Sequence, residues 1–152
     1  QKKNIKKTLN ETKNELDKMV NKAKNKNIKI YVSCINHCPI YGKIDNDFII
    51  DELKYYNKYE NLKNLCLSDT CGNLSFDDFK YIINKLDKLD NLSLHLHVSN
   101  EENTKKILKY AIEKGIKKFD VSCLENSGGC SVTIDNSNLN ENLNYNLIKK
   151  LF

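Results

Sequence analysis

The feature of this sequence that most constrains its fold is an alternation of strand-like and helix-like segments. β-branched and aromatic runs predict four strands, at 28–34, 62–70, 92–98 and 118–124. Helical patterns lie before, between and after them, at 8–26, from Asp47 onward, at 75–89 with Ser75 as the N-cap, at 100–114 and at 141–152. Strands that alternate with helices of about 10–15 residues are typical of βα units on a parallel sheet. The sequence therefore predicts one α/β domain over 1–152, with a first helix followed by four βα units.

Chemically reactive side chains lie at or after the carboxyl end of every predicted strand. In chain order they are Cys34 and Cys38, Asp69 and Thr70, His95 and His97, and Ser122 and Cys130. Catalytic groups of TIM (β/α)₈ barrels occupy this position. A doubly wound sheet would give a similar local pattern, but the strand-end and loop chemistry favours the barrel type. Four βα units make up half of such a barrel.

The run "LSLHLHV" places two of the three histidines one residue apart on a predicted strand. Side chains two apart on a strand share a face, so His95 and His97 are predicted to point the same way, with Leu94 and Leu96 opposite. Asp69 is expected on the histidine side, at the carboxyl mouth of the sheet. Two neutral imidazoles at this spacing can hold one divalent ion. The alternative is a pair of core or rim histidines satisfied by hydrogen bonds.

A second motif is the segment "ENSGGCSVTIDNSN" at 125–138. Gly128 and Gly129 give the backbone freedom that a mobile catalytic loop needs to carry Cys130 over a site. An ordinary glycine turn with a buried thiol is the competing interpretation. Downstream, the amide oxygens of Asn136 and Asn138 can complete the coordination of a hard metal ion, although isolated Asn residues carry little weight in so Asn-rich a chain.

As an ordered set, these motifs resemble the 3-hydroxy-3-methylglutaryl-CoA (HMG-CoA) lyase family of metal-dependent TIM barrels. The matching segments cover nearly the whole chain, in order: "KKNI", "YVSC", "CPIYGK", "LSDTCG", "LHLH", "FDVS" and "GGC". The histidine pair and the Asp69-Thr70 dipeptide also fit related acyl-transfer synthases and carboxyltransferases, whereas the GGC loop favours the lyases. The resemblance implies that the chain corresponds to the C-terminal half of the barrel.

The resemblance also implies a divalent metal cofactor, Mg²⁺ or Mn²⁺, and names its ligands in this chain. His95 and His97 match the two histidine ligands of the family. Asn138 best matches the asparagine ligand, with Asn136 as the fallback.

Two catalytic residues follow from the same resemblance. Cys130 matches the loop cysteine that exchanges a proton with the substrate hydroxyl, and Asp69 matches a strand-end acid that assists proton transfer. The implied reaction is the retro-Claisen cleavage of an acyl-CoA substrate, HMG-CoA or a related 3-hydroxyacyl-CoA, to acetyl-CoA and acetoacetate.

Several departures from the family bear on activity. The family has an Arg-Asp step near the start of its barrel, and this chain contains no Arg. Val98 stands where the family has Asp, and Ser131 where it has Pro. We therefore expect no turnover from the isolated chain, which needs a missing N-terminal half barrel or a second copy, as in a homo-oligomer. A catalytically degenerate relative acting as a structural or interaction module is the alternative.

Composition argues against other classes of function. The net charge of +5 comes from Lys scattered among acidic residues, which predicts solvated surfaces rather than a nucleic-acid site. No apolar run is long enough to cross a membrane. Six cysteines without a recognisable signal peptide predict reduced thiols and a cytoplasmic location. A structural zinc site built from Cys34, Cys38 and His37, with Cys66 or Cys71, is a further alternative.

Overall fold

The computed structural model describes residues 7–125, 127 and 140–152, and their helices and strands follow the predicted alternation. In chain order the elements are α1 (Leu9–Lys22), β1 (Ile28–Ser33), β2 (His37–Cys38), β3 (Gly42–Lys43), α2 (Asn46–Tyr56), β4 (Leu62–Asp69), α3 (Phe76–Asn84), β5 (Leu92–Val98), α4 (Glu101–Glu113), β6 (Phe119–Asp120), β7 (Glu141–Asn142) and α5 (Tyr145–Leu151).

Each of these five helices begins at a polar side chain that caps its first turn. The capping residues are Thr8, Asp45, Ser75, Asn100 and Asn144. Each accepts a hydrogen bond from a backbone N–H two or three residues later, which satisfies a donor that has no partner within the helix. The predicted cap at Ser75 is thus confirmed. Gly115 follows α4 with a φ of +88°, a left-handed conformation that ends a helix.

The central sheet is parallel, with strand order β1-β4-β5-β6. Its apolar face packs against the helices, because alternate residues of β4 and β5 are fully buried leucines. The core between sheet and helices includes Leu65, Leu67, Leu94, Leu96, Phe79, Ile82, Ile83, Ile107 and Leu108. This packing fixes which face of β5 is left for the histidines.

The opposite face of the sheet is polar and concave. Lys29 of β1 lies 2.6 Å from the carboxylate of Asp120 on β6, although β4 and β5 separate the two strands. In a flat sheet the outer strands would lie about 14 Å apart, too far for these side chains to meet. The Tyr31 hydroxyl donates to the same carboxylate at 2.7 Å. The sheet is therefore curled as in a barrel wall.

Several predicted elements differ from those observed. The helices predicted at 8–26 and 75–89 end early, at Lys22 and Asn84. The strand predicted at 118–124 is reduced to β6 and a single bridge between Ser122 and Asn144. The helix predicted at 141–152 starts only at Tyr145, because Asn144 caps it and the two residues of β7 pair with the end of β5 instead. The loop after β1 contains the short β2–β3 hairpin, which the sequence pattern did not predict.

The TIM-barrel type of architecture is confirmed by the four parallel strands, which are joined through helices and curled into part of a barrel. Within the described residues, β1 and β6 are the outer strands of this sheet. No helix in that part of the chain is both long and apolar enough to span a bilayer.

Candidate metal centre at the carboxyl end of the sheet

The two histidines of β5 lie side by side on the concave face, as predicted. Their ring centres are 5.2 Å apart and the ring planes are inclined by 74°. Two imidazoles bound to one ion at about 2.1 Å, with an angle of about 90–110° at the ion, place their ring centres about 4.5–5.3 Å apart. The arrangement of His95 and His97 therefore fits a shared divalent ion, and it is also an ordinary edge-to-face ring contact.

The orientation of His97 is set by the chain segment that crosses the end of β5. Nδ1 of His97 lies 2.9 Å from the backbone carbonyl oxygen of Asn140. Because a carbonyl oxygen can only accept a hydrogen bond, Nδ1 of the neutral ring must carry the proton. Nε2 then keeps its lone pair, which is the state of a metal-ligating histidine whose other nitrogen is held by a protein acceptor.

His95 lies between two polar neighbours on the same face. The register of the sheet places it opposite Ser68 of β4 and Asp120 of β6. Burial, and then the neighbouring His97, lower the pKa of His95, so the ring is neutral near pH 7 and has a lone pair to offer.

Asp120 keeps its negative charge beside this ring. Although burial opposes the effect, hydrogen bonds from Lys29 and Tyr31 hold the pKa of Asp120 below its ordinary value. Its carboxylate is already engaged by these two donors, so it contributes charge near His95 while remaining tied to β1.

Asp69 does not share the face of the histidines, and that prediction is wrong. In the register of β4 and β5, Asp69 lies opposite Leu96, so its side chain projects to the helix side of the sheet. There its carboxylate accepts hydrogen bonds from the backbone N–H groups of Asn73 and Leu74, at 3.2 and 2.9 Å. Burial raises its pKa above the ordinary value, although these bonds act in the opposite direction. The geometry shows a residue that shapes the β4–α3 loop, and its catalytic role stays a prediction.

Asn140 joins this loop to the histidine strand. Its side-chain amide donates to the carbonyl of Cys71 at 2.8 Å, while its own carbonyl accepts from His97. The neighbouring Gly72 has a φ of +69°, and its carbonyl accepts a hydrogen bond from the Ser99 hydroxyl. The contacts of Asn140 thus connect the shape of the β4–α3 loop to the position of His97.

Gly72→Ala is expected to destabilise the chain more than Gly42→Ala. Both glycines have left-handed φ values, +69° and +78°, so alanine costs about 1 kcal/mol of backbone strain at either position. Only at Gly72 would the added Cβ meet neighbours, lying 2.9 Å from the Asn140 amide nitrogen and 3.1 Å from the His97 carbonyl oxygen. This clash should add about 1–3 kcal/mol. Urea denaturation of the two variants measures the difference, and equal losses would contradict the close packing described here.

The zinc site based on the cysteines is not formed. Within residues 7–125, 127 and 140–152, no three or more His, Cys, Asp and Glu side chains are grouped so as to hold an ion. Cys66 is buried within β4, where its sulfur lies 3.8 Å from the carboxylate of Asp120, and Cys34 contacts the Thr70 hydroxyl at 3.2 Å. Cys66 is therefore remote from the strand-end thiols, and with Cys71 in its place the described residues still form no group suited to an ion, so the structure does not support the zinc site.

Three of the predicted site residues, Cys130, Asn136 and Asn138, lie outside the described residues. Their assignments stay predictions. Of the described candidates, the structure brings together His95 and His97 and places Asp69 on the other face.

Sequence reasoning missed the role of Asn140. It acts on His97 through its backbone carbonyl, a group that every residue carries, and its side chain belongs to an Asn-rich segment without a distinctive pattern. The alternation of polar and apolar residues just before α5 was the one available sign of a short strand there.

No protein-family model matches the sequence, and no curated protein matches it by sequence. Solved structures do match. The HMG-CoA lyase from Brucella melitensis has a TM-score of 0.82 and 22% identity, over 99% of this chain and 53% of that one. The hydroxymethylglutaryl-CoA lyase from Pseudomonas aeruginosa has a TM-score of 0.80 and 18% identity, over 99% and 50%.

A third match is an HMG-CoA lyase from Acinetobacter baumannii, whose structure is a complex with coenzyme A and 3-methylmalate. Its TM-score is 0.80 with 23% identity, over 97% of this chain and 48% of that one. The chain spans about half the length of the lyases that it matches. It therefore has the fold of half an HMG-CoA lyase barrel, consistent with the C-terminal half that its motifs predict.

Proposed function

We propose that this chain supplies the metal-binding half of a TIM-barrel lyase. When the barrel is complete, the enzyme cleaves a carbon–carbon bond of HMG-CoA, forming acetyl-CoA and acetoacetate, or of a related 3-hydroxyacyl-CoA, forming acetyl-CoA and the corresponding carbonyl compound. The observation that carries this proposal is the pair of imidazoles at the carboxyl end of β5, where the Asn140 carbonyl leaves Nε2 of His97 free for ligation. The likeness to HMG-CoA lyase structures supports the choice of reaction.

The proposed roles of the residues follow from their positions. His95 and His97 hold a divalent ion, Mg²⁺ or Mn²⁺. Such an ion polarises substrate oxygens and stabilises the negative charge that develops on them during cleavage. Cys130 exchanges a proton with the substrate hydroxyl. Asp69 shapes the β4–α3 loop through its bonds to Asn73 and Leu74, and its part in proton transfer remains a prediction.

Completion of the barrel requires a second set of strands along the open edges of the sheet. β1 and β6 are the outer strands of the described sheet. The backbone N–H and C=O groups along such edges can pair with further strands. We propose that an N-terminal half barrel occupies these edges, with a second copy of this chain as the alternative. The proposed location is the cytoplasm, because the sequence predicts that the six cysteines are reduced thiols, as in that compartment.

A degenerate module that keeps the fold without activity is the second candidate function. It is favoured by the small number of metal-ligating side chains near the histidine pair. Among the described residues, no three His, Cys, Asp or Glu side chains are grouped so that they could hold an ion. In that case the half barrel would serve as an interaction domain.

A lyase assay separates these two functions. HMG-CoA is incubated with Mg²⁺ or Mn²⁺ and either the full-length product of this gene or the 152-residue chain alone, and acetoacetate is measured. The proposal expects metal-dependent cleavage by the completed barrel and none by the chain alone. A completed barrel that binds the ion but does not cleave any 3-hydroxyacyl-CoA would favour the interaction module. Cleavage by the isolated chain would show that two copies complete the site.

A further inference from the structure

The thiols of Cys34 and Cys71 share one hydroxyl group at the carboxyl ends of β1 and β4. The sulfur of Cys34 lies 3.2 Å from the hydroxyl oxygen of Thr70. The same hydroxyl is within hydrogen-bonding reach of the Cys71 thiol. Both cysteines are partly exposed, so small solutes have access to them. Two accessible thiols that contact one polar group need only a local movement of the backbone to reach the geometry of a disulfide.

The backbone of Cys34 has an unusual conformation. Its φ is +59°, and no other non-glycine residue among those described has a positive φ. The left-handed region is strained for a residue with a Cβ, and such strain is concentrated at functional positions. Cys34 directly follows β1, whose last residue, Ser33, pairs with Ser68 of β4. The strained turn thus holds the Cys34 thiol against the segment that follows β4.

The backbone of Cys71 is connected to His97 through Asn140. The carbonyl of Cys71 accepts a hydrogen bond from the side-chain amide of Asn140 at 2.8 Å. The carbonyl of Asn140 lies 2.9 Å from Nδ1 of His97, whose proton it accepts. A movement of Cys71 toward Cys34 would draw its carbonyl away from the Asn140 amide. The position of Cys71 therefore affects the segment that orients the histidine ring.

We propose that Cys34 and Cys71 form a reversible disulfide with hydrogen peroxide as the oxidant, and that the closed bond displaces the Asn140 segment that orients His97. One thiolate attacks a peroxide oxygen, which breaks the O–O bond and leaves a sulfenic acid and hydroxide. The second sulfur attacks the sulfenic sulfur, which forms the S–S bond and releases a second hydroxide. The two protons lost by the thiols convert both hydroxides to water. Two thiols thus lose two electrons, and one peroxide is reduced to two waters.

A transient disulfide is compatible with a reducing compartment, because disulfides of cytoplasmic proteins are usually transient and redox-sensing. Burial, and then the neighbouring Cys34, raise the pKa of the Cys71 thiol to about 11. Cys71 is therefore mostly protonated at neutral pH, and the thiolate is the form that attacks peroxide. We accordingly assign the first attack to Cys34 and the closing step to Cys71.

Peptide mapping locates the bond. The full-length product of this gene is prepared without added metal and treated with hydrogen peroxide. Remaining thiols are alkylated before digestion with trypsin. Cleavage after lysine places Cys34 in the peptide 30–43 and Cys71 in the peptide 64–80. We expect a cross-link between these two peptides that dithiothreitol removes, with a loss of two hydrogen atoms from their combined mass.

Serine variants assign the two sulfurs. The cross-link should be lost completely in Cys34→Ser and in Cys71→Ser. It should be unchanged in Cys38→Ser and Cys66→Ser, which are matched controls because each lies in one of the same two peptides. A cross-link that survives in Cys34→Ser, or a bond between Cys34 and Cys38, would overturn the assignment. So would the absence of a cross-link at peroxide concentrations that oxidise the exposed Cys123.

The coupling to the histidine is measured separately, by NMR of the metal-free protein. The ring signals of His97 and the side-chain amide signals of Asn140 should shift on oxidation and return after reduction with dithiothreitol. These shifts should occur in the wild type and in Cys38→Ser, and they should be absent in Cys71→Ser. A cross-link without these shifts would overturn the coupling.

These measurements are independent of the proposed function, because they use neither a metal ion nor an acyl-CoA. A missing cross-link overturns this inference and leaves the lyase proposal intact. A negative lyase assay leaves the disulfide intact.

Discussion

His97→Ala is expected to abolish metal binding and to lower the turnover of the completed barrel by more than about a hundredfold. His97 is 8% exposed and lies on β5 itself, where its Nδ1 is held by the Asn140 carbonyl. Its loss removes a ligand from the resting site, on which all later steps depend. Metal content and steady-state rates of the purified variant measure both effects.

His37→Ala is the matched control for this substitution. His37 pairs with Lys43 in the β2–β3 hairpin, outside the strand that carries the proposed ligands. The variant should retain both metal and activity. Full metal occupancy in His97→Ala, or equal losses in the two variants, would show that the histidine pair is not the centre of the site.

Cys130→Ser is expected to lower turnover by about 10²–10⁴-fold while leaving metal affinity unchanged. The reason is the distinct task that the resemblance assigns to the thiol, which is proton exchange with the substrate hydroxyl rather than ligation of the ion. A serine hydroxyl has a much higher pKa than a thiol and is a poorer acid and base at neutral pH. The measurement is the rate of acetoacetate formation beside the metal affinity of the same preparation.

A fully active Cys130→Ser enzyme would mean that the GGC loop carries no catalytic role in this protein. The lyase mechanism would then have been transferred wrongly from the family. A loss of metal together with activity would instead place the thiol among the ligands.

The alternation of strands and helices was predictable from the sequence because the main strands and helices carry their own local signals. The alternating pattern of β5 predicted that His95 and His97 share a face, and the cap at Ser75 marked the start of α3. The length of strand β6 was overestimated. The end of a strand depends on its pairing with neighbouring strands, which the residues at 118–124 do not specify by themselves.

The candidate site was less predictable, because it depends on relations between segments. The face of Asp69 follows from the register of β4 against β5, which no pattern within either strand specifies. The tautomer of His97 depends on the backbone carbonyl of Asn140, which lies beside β7, the two-residue strand that pairs with the end of β5. Contacts of this kind are tertiary and leave little trace in composition or spacing.

The most direct test of this account is the location of a bound ion. Crystals of the wild-type protein grown with Mn²⁺ would be measured for anomalous scattering. We expect one peak on the concave face, about 2.0–2.3 Å from Nε2 of His97 and from a ring nitrogen of His95. A peak at the cysteines instead, or saturating Mn²⁺ without density at the two histidines, would contradict it.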